Sequence, residues 1–140
     1  LEAARSLGAT KAILALNGSE IPEIIAATGG YGVDVAFEVA GENAAVEAAM
    51  AAVKPGGRVV LAGIPADDRT SFSASVARRK GLTIKLVRRM KFTYPRAIQL
   101  VESGKVDVRS MVTQHFPLEQ AQQAFTVAQR REGLKIILDL

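Results

Sequence analysis

The chain contains no cysteine, no tryptophan and a single histidine, with five phenylalanines and two tyrosines as its other aromatics. Without cysteine, disulfides and thiolate metal sites are excluded. His115 with scattered carboxylates is a poor donor set for zinc, so no metal is expected to be bound by this chain alone. Long hydrophobic runs are also missing. A membrane helix needs about 20 consecutive apolar residues; no stretch comes near that, and no membrane partner is expected. The positive excess is small, +4 from 18 basic and 14 acidic residues. Its clusters, Arg78, Arg79 and Lys80, then Lys85, Arg88, Arg89 and Lys91, carry no interleaved aromatics. They suit a solvated face or an anion site, and no nucleic-acid partner is expected. Absent too is the turn G-x-G-x-x-G. The nearest glycine cluster, "TGGYG" at Thr28–Gly32, follows a helical pattern and precedes a strand pattern. Phosphates are held in the reverse order, where a strand passes into a helix N-terminus, so this cluster reads as a loop.

What the chain does have is an ordinary globular composition, with 49% hydrophobic and 23% charged residues in 140, enough for a domain with a core. "LEAARSLGAT" reads as the end of a helix already under way, closing at Gly8. "AILAL" (12–16) is a candidate buried strand. "SEIPEIIAATGG" is a helix with Ser19 as cap, Pro22 in the first turn and Gly29–Gly30 as stop. "VDVAFEV" alternates as a strand does. The next helix puts Val46, Met50 and Val53 on one stripe and stops at "KPGG". "RVVLAGI" is a continuous apolar strand, as when helices cover both faces of a sheet. "SFSAS" suggests a short edge strand, "VARRKG" a helical turn, "LTIKLV" a strand and "YPRAIQLVESG" a helix. "MVTQHFP" (strand), "LEQAQQAFTVAQRR" (helix) and "LKIILDL" (strand) close the chain. This alternation predicts a mostly parallel, doubly wound α/β sheet.

Ligands in such sheets collect at the carboxyl ends of the strands. Here those ends are Val39–Ala40–Gly41, Ala62–Gly63–Ile64 and Val87–Arg88–Arg89. Glycine at Gly41 and Gly63 lets backbone approach a ligand, or merely turns strand into loop. One of Arg88 and Arg89 could reach a cleft, since alternate residues at a strand end face opposite ways; both could equally face solvent. Lys135 is a cation in an apolar strand that snorkels to water or meets a phosphate. Asp67 and Asp68 read as loop-solvating, and His115 as a structural or surface histidine. No catalytic triad, paired-carboxylate site or nucleophile elbow stands out, and no catalytic residue is assigned.

Taken together, "VDVAFEVAG", "AAVKPGGRVVLAGIP", "LTIKLVRRMKFTYPRAIQLVESGKVDV", "MVTQHFPLEQAQQAF" and "GLKIILDL" resemble the zinc-dependent medium-chain alcohol dehydrogenase superfamily, nearest its polyol branch of sorbitol and xylitol dehydrogenases. The likeness covers essentially the whole chain in order. It implies a parent enzyme in which NAD or NADP takes a hydride from a zinc-bound alkoxide, with a small polyol or alcohol as substrate and a cytoplasmic setting. It implies that Val39, Ala40 and Gly41 lie beside the cofactor ribose, and that Ala62, Gly63 and Ile64 pack along the nicotinamide and its ribose. Leu86 and Val87 would offer backbone to the carboxamide, Arg89 would lie near cofactor and substrate, and Lys135 would reach the pyrophosphate. "RTSFSAS" resembles a stretch whose edge strand pairs two subunits, so a homo-oligomer through Arg69 to Ser75 is expected.

Against that family the expected fold is an incomplete Rossmann-type sheet, lacking its first two strands and the glycine-rich turn. Residues 1–88 would be the second part of a dinucleotide-binding domain. Residues 89–140 would be a carboxyl-terminal segment returning to a catalytic domain that this chain does not contain; zinc would belong to the parent only. In the order 3-2-1-4-5-6 the missing strands are central, leaving "AILAL" separated from "VAFEV" by roughly 14 Å. The 140-residue chain is therefore expected to be inactive by itself, and to be marginally stable or to associate through open edges. A zinc-independent quinone or enoyl reductase of the same superfamily, distinguished by the absence of zinc ligands upstream, is the enzymatic alternative. A non-catalytic nucleotide-binding or assembly module is the other.

Overall fold

Glycines and prolines mark where helices and strands end. The computed structural model describes residues 1–16 and 18–140. They divide into two units, Lys11–Arg89 together with Leu1, and Glu2–Thr10 together with Met90–Leu140. Helix α1 (Glu2–Ser6) opens the second unit's share of the chain and closes before Gly8.

In the first unit, α2 (Glu20–Ala27) carries Pro22 in its first turn and ends at Thr28. Thr28 Oγ1 donates to the Ile24 carbonyl at 2.9 Å and accepts from the Gly32 amide at 3.0 Å, folding "TGGYG" back on the helix. Ser19 occupies the N-cap position but makes no side-chain cap bond, because its backbone is already helical. Strand β1 (Val33–Glu38) then leads through α3 (Asn43–Ala52) into β2 (Val53–Leu61), and α4 (Ala74–Lys80) leads into β3 (Thr83–Leu86). The strands pair parallel in the order β1-β2-β3. Val46, Met50, Val53, Val59 and Leu61 form the core, with Ala36, Val76, Ala77, Leu82 and Ile84 packed against it. Removing such side chains from water is the main stabilising term, about 1.5–3 kcal/mol for each large one.

Three expectations fail here for physical reasons. "AILAL" is not a strand; Leu14 is 58% exposed and no ladder partner exists for 12–16 among the described residues. Apolar character alone does not make a strand without a neighbour to bond. "KPGG" does not separate a helix from a later strand, because β2 begins at Val53 directly after α3. The register jumps from Val33↔Val53 to Val35↔Arg58, so Lys54–Gly57 form an irregular bulge inside β2. Gly57 suits it, since a Cβ there would stand 2.4 Å from Val53 Cγ1. Finally, residues 69–73 form no edge strand. Two of their amides are already used: Ser71 N–H donates to Asn43 Oδ1 at 2.9 Å and Ser73 N–H to Glu47 Oε1, both on α3. Residues from Ala74 onward are helical.

In the second unit, α5 (Tyr94–Glu102) is followed by β4 (Val112–Pro117), a 3₁₀ turn at Leu118–Gln120, α6 (Ala121–Gln129) and β5 (Lys135–Asp139). β4 and β5 pair parallel with α6 as their crossover. Phe116 and Ala124 are buried in this unit. Asp107 Oδ1 accepts from the amides of Arg109 and Ser110 at 3.0 and 3.1 Å, forming the turn that precedes β4. Its bonds to Ser110, with weaker help from Arg109, hold the Asp107 carboxyl below the usual carboxylate range. Thr113 Oγ1 accepts from Leu134 N–H at 3.1 Å and donates to the Lys135 carbonyl at 3.2 Å, tying the start of β5 to β4. Among the described residues no helix is long and apolar enough to cross a membrane.

Candidate functional site

Because β1, β2 and β3 run parallel, their carboxyl ends lie along one rim of the sheet. The rim is built by backbone bonds between neighbouring strand ends. The Glu38 carbonyl accepts from the amides of Ala62 at 2.8 Å and Gly63 at 3.0 Å, and Val87 N–H donates to the Leu61 carbonyl at 2.9 Å. Thus the segments 39–41, 62–64 and 86–89 are drawn side by side. Gly41 has φ +77°, and a Cβ on it would lie 2.5 Å from the Ile64 carbonyl oxygen. A Cβ on Gly63 would lie 2.2 Å from Gly41 N and 2.6 Å from Glu38 Oε2. Both glycines are therefore required by the close approach of the two loops to each other. Of the two roles the sequence leaves open for them, these contacts bear on the strand-to-loop turn.

The side chains of Val39, Ile64, Leu86 and Val87 stand exposed along this rim, while Ala40 and Ala62 present only methyl groups. Arg88 and Arg89 follow β3 and are exposed. Lys135 belongs to the second unit, where it opens β5 opposite Val112 and is also exposed. His115 Nδ1 lies 3.1 Å from Asp139 Oδ1, an exposed pair across the β4–β5 ladder. Asp67 Oδ1 accepts from the Arg69 amide at 3.3 Å, an ordinary loop bond.

Glu38 was not singled out by sequence. It is an acid at the carboxyl end of β1, yet it is 4% exposed and its Oε1 accepts from the Gly41 amide at 2.7 Å. An acid three residues before a glycine at a strand end is the signal that could have found it. Two further polar clamps support the unit. Lys80 Nζ donates to the carbonyls of Met50, Ala51 and Val53 at 3.1, 2.6 and 2.8 Å, filling the unpaired acceptors at the end of α3. Burial pushes the Lys80 ammonium below its ordinary value. At the amino end of β1, Lys54 lies 2.5 Å from Asp34; its hydrogen bond and its charge hold the Asp34 carboxyl below the usual range.

The zinc-binding dehydrogenase family matches residues 1–103. The chain belongs to that family. It is 35% identical over 140 residues to a sorbitol dehydrogenase of Bacillus subtilis, covering 99% of this chain and 40% of that relative. It is likewise 35% identical over 139 residues to a putative D-xylulose reductase of Rhizobium meliloti, covering 96% of this chain and 40% of the other. The solved alcohol dehydrogenase TADH from Thermus sp. ATN1 matches with a TM-score of 0.85 at 27% identity, over 100% of this chain and 41% of its own. This zinc-binding dehydrogenase chain thus spans about 40% of the length of these curated relatives. Its mixed α/β build, with parallel strands in small sheets, is part of the Rossmann-like cofactor domain of the family.

Two groups associated with the family can be weighed against these residues. For zinc the donor set does not fit: among the described residues no group of three or more His, Cys, Asp or Glu could hold a metal ion. For a nicotinamide cofactor the rim fits one end. Glycine backbone and exposed aliphatic side chains suit the flat face of a ring and its ribose. The phosphate end is not matched in this unit. The helix that follows β1 begins with Glu42 at its N-cap, an acid placed where a phosphate would require free amides.

Proposed function

We propose that this chain forms the nicotinamide-facing part of an NAD(P)-dependent, zinc-containing polyol or alcohol dehydrogenase that oxidises a secondary alcohol to a ketone. The observation that supports it most is the knitted rim of 39–41, 62–64 and 86–89 in a chain of this family. When bound, NAD(P) supplies the hydride acceptor. The chain's own residues bind and orient. Val39, Ala40 and Gly41 would lie beside the ribose, and Ala62, Gly63 and Ile64 along the nicotinamide. The backbone of Leu86 and Val87 would meet the carboxamide, and Arg89 would stand near cofactor and substrate. Lys135 as a pyrophosphate contact, residues 1–88 as cofactor-domain sequence and a cytoplasmic setting rest on the resemblance. The exposed aliphatic side chains of the rim would exclude water from one face of the ring.

The 140-residue chain should show no alcohol-dependent reduction of NAD⁺, because its described residues offer neither a zinc donor set nor a phosphate turn. The natural-length protein should contain zinc and reduce NAD⁺ or NADP⁺ when given a polyol. A natural-length protein that oxidises no alcohol, or that is fully active after its zinc is stripped by a chelator, refutes the reading.

A further inference from the structure

We propose that Glu38 is a positioning residue for the nicotinamide end of the cofactor, an inference that rests on the proposed dehydrogenase function.

Glu38 binds both loops of the rim through different atoms. Its side-chain Oε1 accepts from Gly41 N–H at 2.7 Å. Its main-chain oxygen accepts from Ala62 N–H and Gly63 N–H at 2.8 and 3.0 Å. Its Oε2 lies against Gly63, 2.6 Å from where a Cβ would be. The neighbouring inward position of β1 is Ala36, packed on the apolar core, so packing alone would place an aliphatic residue here. A carboxylate taken out of water at 4% exposure is costly unless its bonds are specific. A charged acceptor on a backbone amide is among the stronger hydrogen bonds. It holds Gly41 in its left-handed conformation, at φ +77°, and so fixes where Val39 and Ala40 stand relative to Gly63 and Ile64. A side chain that acts through two loops touches no reacting atom, yet it sets the surface on which the ring rests.

The test uses the natural-length protein and NADH as probe, with the variants Glu38→Gln, Glu38→Asp and Glu38→Leu. Glutamine keeps an oxygen acceptor of the same reach; aspartate keeps the charge but is too short; leucine keeps the bulk without an acceptor. The readouts are the NADH dissociation constant, the emission enhancement of the bound nicotinamide, kcat and KM for the cofactor, and the amide resonance of Gly41. Glu38→Asp and Glu38→Leu should shift the Gly41 resonance and lose the emission enhancement. Their kcat should fall on the order of tenfold to a hundredfold, as small displacements do in an oriented site, while the NADH dissociation constant changes little. Glu38→Gln should recover most of both. Should Glu38→Leu fail to fold, Glu38→Asp decides. A folded Glu38→Asp with wild-type emission and kcat overturns the positioning role and leaves the dehydrogenase reading standing. A wild-type protein that binds no NADH overturns the dehydrogenase reading and this role with it, even where the Gly41 resonance still answers to Glu38.

Discussion

A methyl group at position 63 would stand 2.2 Å from the Gly41 nitrogen and 2.6 Å from Glu38 Oε2, contacts that backbone and a buried carboxylate can relieve only by moving. Gly63→Ala should therefore cost about 3 kcal/mol, the upper end of what overpacking exacts, and should strip hydrogen-exchange protection from the Gly41 amide. Gly56→Ala is the control. Gly56 has φ +73° but nothing within 4 Å of a Cβ, so only conformational strain of about 1–2 kcal/mol applies, with Gly41 unaffected. Urea midpoints and amide exchange check both. Asp34 answers a different question, that of acid stability. Its carboxyl, held below the ordinary 3.8 by the Lys54 hydrogen bond and charge, stabilises the fold fully above that unfolded value. The contribution disappears as pH falls through the lower folded value. Asp34→Asn should lower stability slightly at neutral pH and converge with the wild type at acid pH, so that the acid limb of the stability curve below about pH 4 is flatter. Added salt should shrink the difference, because the pair is solvent-exposed.

At the scale of elements, α3 is the piece on which the first unit turns. It packs on β1 and β2 through Val46 and Met50, and its last carbonyls are capped from α4 by Lys80. Lys80→Met keeps most of the side-chain bulk and leaves those carbonyls bare, which should cost about 1–3 kcal/mol; a thermal or urea midpoint close to wild type would refute the clamp. This arrangement also shows why the sequence was legible in some places and opaque in others. Helices bounded by Pro22, Gly29 and Gly104, and strands such as 83–86 and 135–139, follow from local pattern and formed as read. The strand ends were legible too, since parallel alternation places Gly41, Gly63 and Val87 on one rim. The failures are non-local. Whether 12–16 is a strand depends on a neighbour, not on its apolar run. Whether 69–73 is an edge depends on Asn43 and Glu47, which take its amides from across α3. Glu38 was passed over because an acid in a strand reads as an exposed position until its partner at Gly41 is known.

For the whole molecule the exposed flank of β1 matters most. Among the described residues β1 pairs with β2 alone, Phe37 on it is 69% exposed, and a groove of about 1110 Å³ runs between α2, β1 and α3, lined by Ile21, Ile24, Ala36, Phe37 and the alanines of α3. A free, apolar strand edge is a template for pairing with another chain. The 140-residue chain should accordingly show an apparent mass that rises with concentration in light scattering. Phe37→Lys, which places a charge on that edge, should lower it. A concentration-independent monomer for the unaltered chain would show that the edge is closed by some other means.

The interlock at the rim has one more consequence, for the order of assembly. Every bond that joins Glu38 to Gly41, Ala62 and Gly63 closes within the single β1–α3–β2 stretch from Val33 to Ile64. All of them need only this one parallel strand–helix–strand stretch and no later part of the chain. The interlock between the ends of β1 and β2 can therefore close before the residues beyond Ile64 are added, and the same stretch is the natural cassette to transplant into a related scaffold.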